Sequence, residues 1–216
     1  MSDDSWFAKY PGLLFERHDN GVLLMTLNRE EHFNATDAPL HNALSRVWLD
    51  IDDDDDVRVV VVTGKGKAFS AGGDLDWIES MIQNYDGMKV AFKEAGDIVY
   101  RMTACTKIIV SAINGVAVGA GLAVALMADI SIMAEDARFT DGHLRLGVAA
   151  GDHANIIWPL LCGLAKAKYY LITSDFIDGK TADQIGLVSK SVPREQLMDE
   201  AMKVANKIAT GPQDAA

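Results

Sequence analysis

Cysteine is scarce in this 216-residue chain: Cys105 and Cys162 are the only two. They stand far apart, and neither has the spacing of a paired metal ligand. That excludes a disulfide framework and a cysteine-ligated metal cluster. Both are expected as reduced core residues of a cytoplasmic protein. Basic residues are also few, 20 Lys and Arg against 31 Asp and Glu, for a net charge of -11. Such a balance argues against nucleic acid or an anionic membrane as partner. No apolar run approaches the ~20 residues that cross a bilayer. The stretch Met1-Ser2-Asp3-Asp4-Ser5-Trp6 lacks the basic and apolar regions of a signal peptide. No linker and no low-complexity segment interrupts the chain, so residues 1–216 read as one domain. At 49% hydrophobic it has the apolar content for a full core.

Strand and helix patterns alternate along the chain. Leu13 to His18 and Val22 to Leu27 flank Asp19-Asn20-Gly21, a hairpin turn. Asp37 to Asp50 reads as a helix with Leu40, Leu44, Val47 and Trp48 on one face. The carboxylate run Asp52 to Asp56 reads as solvated rather than as a metal site. Val57 to Thr63, Ile108 to Ile113 and Asp129 to Ala134 read as strands. Helical patterns occupy roughly Lys89 to Ala104, Ala154 to Leu161, Ala165 to Ile172 and Arg194 to Ala209. This alternation predicts an α/β fold with mostly parallel strands.

Two segments carry chemistry. In the first, the Val57 strand empties into Lys67-Ala68-Phe69-Ser70-Ala71-Gly72-Gly73-Asp74-Leu75, and Asp74 begins a helix. In the second, the Ile108 strand runs into Asn114-Gly115-Val116-Ala117-Val118-Gly119-Ala120-Gly121-Leu122-Ala123, followed by the small apolar helix Val124 to Ile130. Small-residue turns ahead of a helix expose backbone N–H groups, which hold a developing negative oxygen. By spacing alone the first segment reads equally as a glycine-rich turn without a ligand. The device occurs twice, and two such turns can aim two donors at one carbonyl oxygen.

Lys67 to Leu75, Asn114 to Ile130 and Thr181-Ala182-Asp183-Gln184-Ile185-Gly186-Leu187-Val188 resemble the motifs of the crotonase, or enoyl-CoA hydratase/isomerase, superfamily in their order and spacing. The resemblance runs from about Leu13 to the C-terminus. It implies a spiral of strand-strand-helix turns, assembled as a homotrimer or dimer of trimers. It also implies that the C-terminal helical layer is truncated or absent here, because relatives continue for several tens of residues. The implied substrate is an acyl-CoA, with coenzyme A present only as part of it and no metal or other cofactor. Carried over, the oxyanion donors are the amides of Ala71 and Ala120. The family usually has Gly at the second position, and alanine keeps the N–H. Lys67, Ala68, Ser70, Gly72, Gly73 and Asp74 are implied to bind substrate or CoA, with Lys65 a further cation beside them.

Hydratases of the superfamily face this oxyanion hole with two glutamates that position water and shuttle its proton. The corresponding positions hold Ala123 and His143. Alanine transfers no proton, so the two-glutamate mechanism does not apply. His143 is expected after a short strand and Asp152 at the start of the next helix. That layout can bring the carboxylate to the imidazole, and a His oriented by Asp is an efficient base near neutral pH. Taken alone, Asp152 reads as a helix cap. The pair resembles the β-diketone hydrolase branch, such as 6-oxocamphor hydrolase, which activates water for carbon–carbon cleavage. His41 falls near a functional histidine of that branch and also fits as a polar residue on an amphipathic helix. Unlike that branch, the chain keeps the first oxyanion loop intact and has no histidine in the second. The expected function is water activation by His143 and Asp152 against an acyl-CoA. An alkene β-carbon would give hydration, and a β-carbonyl would give cleavage. A non-catalytic acyl-CoA binder is the alternative from another class.

Overall fold

The structure, a computed structural model, describes residues 4–212. Met1 to Asp3 of the acidic N-terminal stretch and residues 213–216 lie outside the described residues. The chain begins with β1 (Leu13–Arg17), β2 (Val22–Leu27), α1 (Ala38–Asp52), β3 (Val59–Gly64), β4 (Ala68–Ser70), α2 (Leu75–Met81) and α3 (Tyr85–Ala104). Next come β5 (Ile108–Ile113), β6 (Val116–Val118), α4 (Gly119–Met127), β7 (Ile130–Ala134), β8 (Arg138–Thr140), α5 (Ala154–Cys162) and α6 (Leu164–Thr173). The last elements are β9 (Ile177–Asp178), α7 (Gly179–Gln184), β10 (Lys190–Val192) and α8 (Leu197–Ala209).

One sheet has six strands in the order β1-β2-β3-β5-β7-β10, and a second has four in the order β4-β6-β8-β9. All neighbours run parallel except β1 with β2 and β8 with β9. A strand of the large sheet, a strand of the small sheet and a helix follow one another as β3-β4-α2, β5-β6-α4 and β7-β8-α5. This is the strand-strand-helix spiral that the sequence motifs imply. Every residue of β3 is buried, as a parallel strand covered on both faces requires. Helix α1 buries Leu40, Leu44, Val47 and Trp48 on one face and packs on α3, while α8 lies across β3, β5 and β7. Among the described residues no helix is long and apolar enough to cross a membrane.

The small sheet is what the sequence pattern misses. The segment from Asn114 to Ala123 is not a plain turn: it contains β6 and the first turn of α4. Ala68 to Ser70 is likewise a strand, β4. Strands of three residues are too short for a periodicity to register. Helix α3 begins at Tyr85, ahead of the expected Lys89, because the Asn84 side chain accepts the Gly87 N–H and starts it there. Cys105 and Cys162 are half-buried at the edge of the core rather than inside it. Burial still pushes the Cys105 thiol up to about 11.

Candidate active site

Strands β4, β6 and β8 are parallel neighbours, with Ser70 opposite Ala117 and Val118 opposite Thr140. Their C-terminal ends therefore open on one edge of the small sheet, the usual place for a ligand in a parallel α/β arrangement. The two glycine loops and the His143 turn leave from that edge. Val118 sits between two of them. A Cβ on Gly72 would lie 3.2 Å from its side chain, and one on Gly142 would lie 2.9 Å from it. Both glycines have left-handed backbones, φ +98° and +76°, which lets the chain turn sharply there. On the other side α4 presses onto β4, since a Cβ on Gly121 would fall 2.2 Å from Ser70 Cβ. A Cβ on Gly119 would stand 3.8 Å from the Gly73 nitrogen, so the start of the second loop lies beside the first.

The free backbone donors differ from expectation. The Ala71 N–H donates to Phe33 O at 3.0 Å and the Asp74 N–H to Thr36 O at 2.9 Å. Thr36 pairs with Gly73 as a short parallel bridge, and these amides are spent on holding the loop to the 33–36 segment. The Gly72 N–H makes a long contact of 3.4 Å to Ser70 Oγ. The Gly73 N–H has no acceptor among the described residues. Ala120 lies in the first turn of α4, where amides lack an intrahelical acceptor, and no side chain caps that end. The geometry thus replaces Ala71 by Gly73 as the unspent donor of the first loop and keeps Ala120.

Several side chains assigned to CoA turn inward instead. Ala68 and Ser70 are buried, and Ser70 Oγ donates to Asn34 O at 2.8 Å. Asp74 caps α2 by accepting the N–H groups of Asp76 and Trp77, and it pairs with Arg29 at 3.4 Å. These three are structural supports of the loop. Lys65 and Lys67 are exposed, and the backbone of Gly72 and Gly73 lies on the site edge.

His143 is the centre of the polar cluster. Its Nδ1 lies 2.9 Å from Asp141 Oδ1. A carboxylate only accepts, so Nδ1 carries the proton and Nε2 holds the lone pair of the neutral ring. Asp141 is 2% exposed and its Oδ2 also accepts the His143 N–H at 3.3 Å. The left-handed Gly142 folds the Asp-Gly-His segment so that side chain and amide meet, an Asx-type turn. Asp152, expected to orient the ring, stands with Oδ2 at 3.7 Å from Nε2, beyond a hydrogen bond. Asp141 is therefore the orienting carboxylate, which sequence reasoning missed although Asp-Gly-His signals a turn. The hydrogen bond to Asp141 holds the His143 pKa above its usual value; burial opposes this, and the Asp152 charge adds to it.

Asp152 also caps. Its Oδ1 accepts the His153 N–H at 2.7 Å and the Ala154 N–H at 3.5 Å, at the start of α5. The same oxygen lies 3.0 Å from His153 Nδ1. Burial disfavours the Asp152 anion, yet the His153 hydrogen bond and the His153 and His143 charges outweigh it and hold the carboxyl well below its usual range. Asp141, His143 and Asp152 bring one ligand-type atom each within 4.8 Å of the others. The Asp141–His143 hydrogen bond occupies Nδ1, so His143 Nε2 and Asp152 Oδ2 are the groups left facing each other.

His41 has other company. Its Nδ1 donates to Glu94 Oε2 at 2.7 Å, its ring tilts on Trp77 with centroids 5.0 Å apart, and both pair members are buried. Asn42 donates to the second Glu94 oxygen at 2.7 Å. Burial opposes Glu94 ionisation, and the His41 and Asn42 hydrogen bonds overcome it, leaving its pKa below the usual value. The partners of His41 thus join α1 to α2 and α3, and none belongs to the His143 cluster.

The sequence profile described as enoyl-CoA hydratase/isomerase matches residues 17–216. The chain is 31% identical over 200 residues to the probable enoyl-CoA hydratase echA8 of Mycobacterium bovis, covering 93% of this chain and 76% of that protein. It is 31% identical over 202 residues to the 1,2-epoxyphenylacetyl-CoA isomerase of Escherichia coli, covering 90% of this chain and 75% of that one. The crystal structure of an enoyl-CoA hydratase/isomerase from Mycobacterium paratuberculosis superposes with a TM-score of 0.88 at 32% identity, over 94% of this chain and 81% of the other.

Proposed function

Because the chain belongs to the enoyl-CoA hydratase/isomerase family, we propose that it acts on an acyl-CoA thioester, with His143 as the base that activates water. One observation carries this reading. His143 has Nδ1 fixed by a buried carboxylate and Nε2 unbound, at the sheet edge from which both glycine loops leave. The 3.7 Å between Nε2 and Asp152 Oδ2 suits a water held jointly by both. The thioester oxygen is received by the amides of Gly73 and Ala120, which stabilise the enolate as charge develops. His143 takes the water proton and becomes imidazolium between two carboxylates, Asp141 and Asp152, which stabilise that charge.

Two electrophiles fit that water. At an alkene β-carbon the product is the 3-hydroxyacyl-CoA, and the proton taken by His143 is returned at the α-carbon. The names of the relatives favour this hydration. At a β-carbonyl, water adds and the bond between α- and β-carbons breaks with the thioester enolate as leaving group. The result is a carboxylic acid and a shortened acyl-CoA. Ala123, where a second glutamate would stand, favours this cleavage, because a single His-carboxylate group replaces the two-carboxylate shuttle. The exposed apolar residues Leu160, Leu164, Tyr169 and Ile172 on α5 and α6 support assembly as a homotrimer or dimer of trimers, which light scattering tests.

Incubation with a panel of enoyl-CoA and 3-oxoacyl-CoA esters, read by mass spectrometry, tests the reaction. Gain of water without fragmentation means hydration, and two fragments mean cleavage. No turnover together with no α-proton exchange in deuterated water would leave a non-catalytic acyl-CoA binder.

A further inference from the structure

His153 takes no part in the chemistry above, yet it is 1% exposed and hydrogen-bonded to Asp152. A carboxylate accepts only, so His153 Nδ1–H is the donor. Three donors thereby converge on Asp152 Oδ1: the His153 ring at 3.0 Å, the His153 amide at 2.7 Å and the Ala154 amide at 3.5 Å. With Oδ1 saturated, Oδ2 is left facing His143 Nε2 at 3.7 Å. The two oxygens of a carboxylate are equivalent, and its terminal torsion lies in a broad two-fold well. What these donors fix is the angle of the carboxylate plane, and with it where the free oxygen stands relative to His143 Nε2. The other ring nitrogen of His153, Nε2, is buried without a hydrogen-bond partner. Leaving a buried polar atom unpaired costs stability. An apolar side chain would fill the same space without that cost, so what the imidazole adds is the Nδ1–H.

We propose that His153 is a positioning residue that clamps the Asp152 carboxylate, so that Oδ2 and His143 Nε2 together hold the attacking water. The inference rests on the water-activation reading given above. It extends the site to a line of three residues, His143, Asp152 and His153, in which the last acts only through the middle one. Asparagine at this position can present its side-chain N–H where the imidazole presents Nδ1–H. Phenylalanine and leucine cannot.

The test uses the whole protein with His153→Phe, His153→Leu and His153→Asn, each alone and combined with Asp152→Asn. His153→Leu replaces His153→Phe if the larger ring does not fold, as judged by thermal melting. Turnover is read on the panel thioester that the wild type converts fastest, and the His143 imidazole is titrated by NMR, which needs no substrate. Loss of the clamp should lower kcat by about 10-fold, as expected for a small misplacement at the reacting centre, with KM within twofold. His153→Asn should recover most of that loss. In the Asp152→Asn background the apolar variants should cost nothing more. The His143 midpoint should fall in the apolar variants towards its Asp152→Asn value. An apolar variant with wild-type kcat and an unshifted midpoint overturns the proposal, as does an equal loss in both backgrounds. If Asp152→Asn costs turnover and the His153 variants do not, only this proposal falls. If Asp152→Asn itself changes neither kcat nor the His143 midpoint, the water-activation reading falls with it.

Discussion

The Nδ1–H of His143 donates to Asp141 Oδ1 across 2.9 Å, although the two residues are separated only by Gly142. The bond is local in sequence, and it decides which ring nitrogen is free. Nδ1 is tied inward, so all chemistry by this imidazole runs through Nε2, on the side where Asp152 stands.

His143→Ala should lower turnover by about 100-fold or more, the usual cost of losing a general base. Thioester binding, measured by calorimetry, should stay within twofold because the proposed oxyanion donors are backbone groups. Near-normal turnover would reduce His143 to a turn residue.

Asp141→Asn should shift the acid limb of the pH–rate profile to lower pH. The base must be neutral to accept a proton, and the Asp141 hydrogen bond is the largest influence holding the His143 pKa above its usual value. Asp152→Asn should move the limb in the same direction but less, since its effect is only through charge. A profile unmoved by Asp141→Asn would show that another group is the titrating base.

The stability difference between the wild type and His143→Ala should depend on pH in a defined window. His143 has a raised folded-state pKa, so its contribution is fully present below the unfolded value of about 6.5 and fades as pH rises through the folded value. Asp152 has a depressed folded-state pKa, so its contribution is present above the unfolded value of about 3.9 and fades as pH falls through the folded one. Melting temperatures should therefore differ most between about pH 4 and 6.5 and converge only once pH has risen past the folded-state His143 value. A difference that grows towards alkaline pH would contradict the pairing.

Gly121→Ala should destabilise the protein by about 1–3 kcal/mol through overpacking, because the new Cβ falls 2.2 Å from Ser70 Cβ. It should also reduce turnover, since α4 carries Ala120, the second of the proposed donors. Ser70→Gly in the same chain should restore part of the stability by reopening the space. Urea unfolding of the two variants checks this, and an additive double variant would argue against direct contact.

Glu94→Ala should cost about 1–3 kcal/mol in urea unfolding, the scale for leaving buried donors without their acceptor. It leaves His41 Nδ1 and the Asn42 amide without their shared acceptor. Since Glu94 has a lowered folded-state pKa, that contribution should vanish as pH falls through the folded value. A loss below about 1 kcal/mol at neutral pH would mean that the pair is replaced by solvent.

The sequence by itself determined the alternation of strands and helices, because apolar runs such as Val59 to Val62 and the spaced Leu40, Leu44, Val47 and Trp48 encode burial locally. It also determined the family, through the order and spacing of the motifs Lys67 to Leu75, Asn114 to Ile130 and Thr181 to Val188. It singled out His143 and Asp152 as chemistry-bearing residues. Only the tertiary structure decided which groups are free to act. The Ala71 amide is spent on Phe33, across a contact between segments remote in sequence, and the unspent donor of that loop is Gly73. Asp152 reaches His143 only at ion-pair distance, and Asp141 takes the orienting bond because Gly142 turns left-handed. His41 is claimed by Glu94 from a different helix. Residue types and spacing say which atoms can donate or accept. Which of them already have a partner depends on segments brought together by packing, and no local pattern carries that information.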